Sequence, residues 1–143
     1  MNTTTQTESN QAPLLSGYNR NPQFEEELQN NPAQTVLLLM QGAIDKANLA
    51  KTCQANGAAI EKGFHLGRLT SIIDALRDRL TFHTEGSLAQ ELESLYQYCD
   101  ECVQKAVFEE NDDSLDVVID VFSDLRDGWM EMMQQTGQLT TNS

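Results

Sequence analysis

Cys99-Asp100-Glu101-Cys102 is the arrangement in this chain that comes nearest to a reactive centre. Two thiols three residues apart share one side of a helix, where they can act as a dithiol pair or supply half of a tetrahedral zinc site. Either chemistry needs thiolates, and the Asp and Glu between the cysteines oppose negative charge on sulfur. A zinc site needs two further ligands, and the chain has no second Cys-x-x-Cys. Its two histidines, His65 and His83, stand apart from any Glu-x-x-His spacing of the kind that builds di-iron bundles. The better-supported reading makes the two cysteines small apolar residues, with Cys99 toward a core. No nucleophile has an adjacent base, no glycine loop is built to cradle phosphate, and the acidic pairs near the C-terminus read as a solvated face. The residues therefore predict a protein that is not an enzyme and that needs no metal or cofactor. A metal- or redox-active bundle using Cys99, Cys102 and His65 or His83 stays as an alternative.

Charge narrows the partners. The 143 residues hold 9 Lys and Arg against 22 Asp and Glu, a net charge of −13. Phosphate backbones and anionic bilayers demand clustered cations, so the composition predicts no nucleic-acid partner and no membrane insertion. No stretch has the unbroken apolar length of a membrane span. Three cysteines, an odd number inside helical segments, do not make a secreted disulfide framework. Met1 to Pro13 lacks the basic and apolar regions of a signal peptide. A cytoplasmic location is the expectation.

The elements that must carry these residues are helices. From Asp112 to Gln135, Leu115, Val118, Ile119, Phe122, Leu125, Trp129, Met132 and Met133 recur at three- and four-residue steps. Asp116, Asp120, Asp124, Asp127 and Glu131 fill the opposite face. A stripe of that length needs partner helices as long as itself. Asn31 as N-cap and Pro32 in the first helical position begin a helix that runs to about Cys53, with Val36, Leu39, Met40, Ala43, Ala47 and Ala50 inward. After the Asn56-Gly57 break, a second helix spans about Ala58 to Leu80, with Ile60, Phe64, Leu69, Ile72, Ile73, Leu76 and Leu80 as core candidates. A third follows from Ser87 to about Glu109, with Leu88, Leu92, Leu95, Tyr96, Cys99, Val103 and Ala106 inside. Short loops make neighbours antiparallel. The expected fold is all-α: an up-down four-helix bundle over residues 31–135. A disordered or partly helical N-terminal arm (1–30) precedes it and a flexible tail (136–143) follows.

Two places carry more apolar surface than a closed bundle requires. Val36 to Met40 is apolar around more than one face, and Val117, Val121 and Met130 lie outside the main stripe of the last helix. Such excess suits a groove for a partner helix. A homo-oligomeric structural bundle, its extra faces paired with themselves, is the other reading and leaves room for weak self-association.

Three blocks give the chain a resemblance to the flagellar export chaperones that bind flagellin. Asn31-Pro32 through Leu39 with Gly42-Ala43-Ile44 resembles the family's Ser-Pro start, Leu-rich helix and Gly-Ala pair. Ile72-Ile73, Leu76-Arg77, Leu80 and Phe82, then Gly86 to Leu92 and Leu95-Tyr96-Gln97-Tyr98, resemble the junction of its second and third helices. Leu125-Arg126-Asp127-Gly128-Trp129 resembles the Leu-Arg-Asp-Ala-Trp end of its last helix. Tyr18 falls where the family tends to have an aromatic in its N-terminal arm. There are departures: Met40-Gln41 stands where an aromatic and an acid are usual, and Glu101-Cys102 where a basic pair is usual.

The resemblance implies a cytoplasmic export chaperone that holds the C-terminal segment of flagellin and so prevents premature polymerisation. Together with the apolar excess on the first and last helices, it places the expected partner contacts at Tyr18, Leu37, Leu38, Met40, Gln41, Val117 and Val121, with the arm either covering the groove until the client displaces it or touching the client directly.

Overall fold

The computed structural model describes residues 31–80, 84, 86–109 and 113–137, and within them the chain forms four helices and no strand. These are α1 (Pro32–Ala55), α2 (Ala59–Asp78), α3 (Ser87–Phe108) and α4 (Ser114–Gln135). Each helix packs against its sequence neighbours, and α4 returns to α1, closing a ring without diagonal contacts among the described residues. The arm, including Tyr18, Phe24 and Leu28, lies outside the described residues, as do His83, Asp112 and the last six positions.

Local chemistry sets the ends. Asn31 Oδ1 accepts the Gln34 N–H at 3.1 Å, so one orphan donor of the first turn is satisfied, and Pro32 stands where its missing N–H does no harm. α1 stops at Asn56-Gly57, where Gly57 takes φ +71°, a conformation that strains any residue with a Cβ. The Ala58 N–H then donates to the Cys53 carbonyl at 2.8 Å and sends the chain back along α1.

Contacts between helices fix the antiparallel order. Trp129, near the end of α4, donates its indole N–H to the Ala33 carbonyl in the first turn of α1 at 2.9 Å. Lys51 pairs with Asp116 at the other end, and back on the Trp129 side Arg77, late in α2, bridges Glu93 and Asp100 on α3. Lys62, early in α2, reaches the Glu109 carbonyl at the end of α3 at 3.3 Å.

The core follows the stripes in most positions. Val36, Leu39, Met40, Ala43, Ala47 and Ala50 are buried, and the alanines let α2 and α4 approach α1 closely. In α2 the first turns correct the sequence reading. Ile60 is 87% exposed and Phe64 58%, while Leu66 and the stem of Lys62 are buried in their stead. Leu69, Ile72, Ile73 and Leu76 decide how the rod is rotated, and three- and four-residue steps carried back from Leu69 reach Leu66 and Lys62. Ile60 lies nine residues before Leu69, half a turn away at about 100° per residue. Leu88 is likewise 53% exposed, and Trp129 is half-buried.

Tyr96 and Phe122 stack across α3 and α4, ring centroids 6.0 Å apart and nearly parallel. Tyr96 is fully buried, its hydroxyl has no hydrogen-bond partner among the described residues, and burial raises its phenol above the ordinary range. The two aromatic polar groups therefore predict opposite outcomes. Removing the unpaired hydroxyl by Tyr96→Phe should leave stability unchanged or raise it by about 1 kcal/mol. Trp129→Phe, which discards a made hydrogen bond, should lower it by about 1 kcal/mol. Urea unfolding followed by circular dichroism reads both, and a destabilised Tyr96→Phe would mean that the hydroxyl is bonded after all.

Candidate partner-binding surface

The residues expected to meet a partner do not form one exposed patch. Leu37 is 4% exposed and packs with Ala33 and Met133 under Trp129, Met130 and Met132, while Met40 is 2% exposed in the main core. The run from Val36 to Met40 is thus apolar surplus only at Leu38; its other members are enclosed because α1 is covered by both α2 and α4. Leu38 and Gln41 are half-buried and lead, at helical steps, to exposed Asp45, Asn48 and Thr52 on the outward face of α1. Val117 and Val121 are half-buried one turn apart on α4, packed against the edge of the main core.

A larger apolar surface lies at the far end of the bundle. Ile60 and Phe64 stand out from α2, and Val107 and Phe108, 47% and 81% exposed, stand out from the end of α3. Between the helices a cleft of roughly 300 Å³ is lined by Cys53 and Gln54 of α1, Ala59, Lys62, Gly63 and Leu66 of α2, and Val107 and Phe108. Ile60 and Phe64 each follow a cleft residue on α2, so the apolar band is continuous around that helix.

The sequence held a signal for it. Gly63 and Gly67 lie one turn apart in a helix interior, where each is worse than Ala by about 1 kcal/mol. Among the described residues a Cβ placed at either would meet nothing within 4 Å, so packing against them does not require glycine there. The charges beside them are mostly positive. The Arg68 guanidinium lies 4.7 Å over the Phe64 ring, a cation–π arrangement. His65 meets Phe64 edge-on, and its pKa is lowered by burial first, then by Lys46 and Arg68, with Glu61 opposing.

The comparisons with known proteins agree on one family. Residues 16–136 match the family described as flagellar protein FliS. Over 110 residues the chain is 28% identical to the flagellar secretion chaperone FliS of Vibrio cholerae, covering 77% of this chain and 81% of that one. Over 99 residues it is 30% identical to the flagellar secretion chaperone FliSB of Pseudomonas aeruginosa, covering 69% and 79%. Among the described residues no helix is long and apolar enough to cross a membrane.

The thiol pair is placed where redox chemistry is hard. Cys99 is fully buried and Cys102 nearly so. The Cys99 thiol is pushed up to about 12, by burial first and then by Cys102 and Asp100 beside it. At pH 8 only roughly one Cys99 in ten thousand is then a thiolate. Cys53, half-buried on the cleft, has no such enclosure. Iodoacetamide at pH 8 should therefore modify Cys53 first and leave Cys99 intact until denaturant is added or the pH nears 12. Mass spectrometry of the labelled peptides checks this, and rapid labelling of Cys99 in the folded protein would contradict it.

Proposed function

The chain belongs to the FliS family of flagellar proteins, and from that premise we propose that it is a cytoplasmic export chaperone for flagellin, holding the client's C-terminal segment. The observation that carries the reading is the mismatch between a bundle that closes its own core and the large apolar side chains it leaves in solvent. Ile60, Phe64 and Phe108 are each more than half exposed, and Val107 nearly so. Scattered single hydrophobes are ordinary, whereas a band continuous with a cleft suits a helix-in-groove partner.

A client segment that is disordered when free would order on this surface as amphipathic helices. Its apolar faces would then be unavailable for filament contacts, which keeps the subunit monomeric and ready for export. The process is stoichiometric holding, without turnover. Leu38 and Gln41 on α1, Val117 and Val121 on α4, and Tyr18 of the arm are the contacts proposed from the sequence, with Leu37 and Met40 supporting them from inside. A charge belongs at Leu38 in a test, because one at Leu37 would strike the core.

Titration calorimetry against a peptide of the last forty or so residues of a flagellin from the same cell tests this. Ordering a segment buries much apolar area, so binding near one to one should show a negative heat-capacity change and a gain in helicity. Leu38→Glu should weaken binding by about tenfold, 1.4 kcal/mol, with cooperative melting retained. Replacing Tyr18 should raise affinity if the arm competes and lower it if the arm touches the client. No heat and no helicity gain with any flagellin of that cell would sink the proposal.

A further inference from the structure

Sulfur is concentrated where α4 closes on α1. Of the chain's five methionines, Met130, Met132 and Met133 fall within one turn near the end of α4. Met133 is fully buried with Ala33 and Leu37 of α1, while Met130 and Met132 are half-buried and pack over that cluster beside Trp129. The Trp129 indole donates to the Ala33 carbonyl at the same place. Packing and hydrogen bond together latch the last turns of α4 to the first turn of α1, where the arm joins the bundle.

The Met132 thioether has a neighbour of its own. The Thr136 hydroxyl lies 4.0 Å from Met132 Sδ on exposed surface, and within reach of the Met132 and Met133 carbonyls at 3.1 and 3.3 Å. One hydroxyl proton serves these acceptors, and the thioether is the weakest of them. Oxidation to the sulfoxide would make it polar and reverse that order. We infer that Met132 is a modification site for hydroperoxides, at which conversion to the sulfoxide releases the latch between α4 and α1. The sulfur lone pair attacks one peroxide oxygen, an S–O bond forms and the O–O bond breaks. The proton on the transferred oxygen passes to the departing hydroxide, which leaves as water. Sulfur gives up an electron pair and the peroxide is reduced. The product sets a polar group where Met132 covers an apolar cluster, and it draws the Thr136 hydroxyl off the last carbonyls of α4. Packing and the C-terminal cap are weakened together.

The other helical sulfurs are spared by position. Met40 and Met133 are 2% and 0% exposed, so a peroxide meets them only when the bundle opens. Met130 is half-buried like Met132, but it stands about 9 Å along the axis before Thr136 and its hydroxyl.

Hydrogen peroxide applied to the full chain, with peptides read by mass spectrometry, tests the assignment. Among Met40, Met130, Met132 and Met133, Met132 should gain oxygen first, about tenfold faster than the two buried sulfurs. Chains oxidised there should melt about 4 °C lower. The emission of Trp129, the single tryptophan, should shift to the red. Methionine sulfoxide reductases with a thiol reductant should reverse both changes. Met132→Leu nearly conserves volume and should abolish both, whereas Met130→Leu should retain them. In Thr136→Val no hydroxyl can be withdrawn, so oxidation should lower the melting temperature by less. Earlier oxidation of any of the other three, or an oxidised Met132 with melting and emission unchanged, would overturn the inference.

Discussion

A straight α-helix can turn only one face to its neighbours, and in α2 that choice is made by Leu66, Leu69, Ile73 and Leu76. All four are buried to within 2% of full enclosure. They fix the rotation of the rod, and the rotation expels Ile60 and Phe64 into solvent. The same constraint pulls the Lys62 stem inward, where its ammonium meets the carbonyl at the end of α3 and draws the two helix ends together. The cleft is what remains between those ends. Its position therefore follows from core packing several turns away.

The rest of the molecule is built to hold that arrangement. α1, with alanines over its second half, allows α2 and α4 to close on it from two sides. Arg77, bonded to Glu93 and Asp100, binds the late part of α2 to α3; its pKa is raised chiefly by its hydrogen bond to Glu93. Exposed pairs such as Lys51–Asp116 add little to stability, so hydrophobic packing keeps the bundle shut. The groups that resemble catalytic chemistry are taken up by this packing: Cys99 is enclosed as a protonated thiol, and Tyr96 spends its ring on Phe122. The relatives that this chain resembles are flagellar secretion chaperones.

Periodicity made the four helices legible, because each stripe extends over several turns and the Asn31-Pro32 and Asn56-Gly57 signals mark the edges of α1. It misled at Ile60, Phe64 and Leu88, each apolar and near the start of a helix. There the stripe is set by residues further along, and a local reading favours the apolar residue over a lysine with a long stem. The surface was harder still. Leu37 and Met40 look like surplus on a helical projection, yet α1 is covered on two sides, a property of the ring rather than of the segment. Gly63 and Gly67 were visible as a helix weakness, but the open space around them among the described residues is a property of the packed bundle, which one sequence does not describe.

The central claim is that a closed bundle offers its client a surface while its core stays shut. Hydrogen–deuterium exchange of the full chain, alone and saturated with the flagellin C-terminal peptide, reads this directly. Slowed exchange in residues 59–68 and 104–108, with the amides of the buried stripes unchanged, is the expected pattern. Faster exchange in the core of α1 or α4 on binding would show that the client opens the bundle, and protection confined to other surfaces would contradict the account.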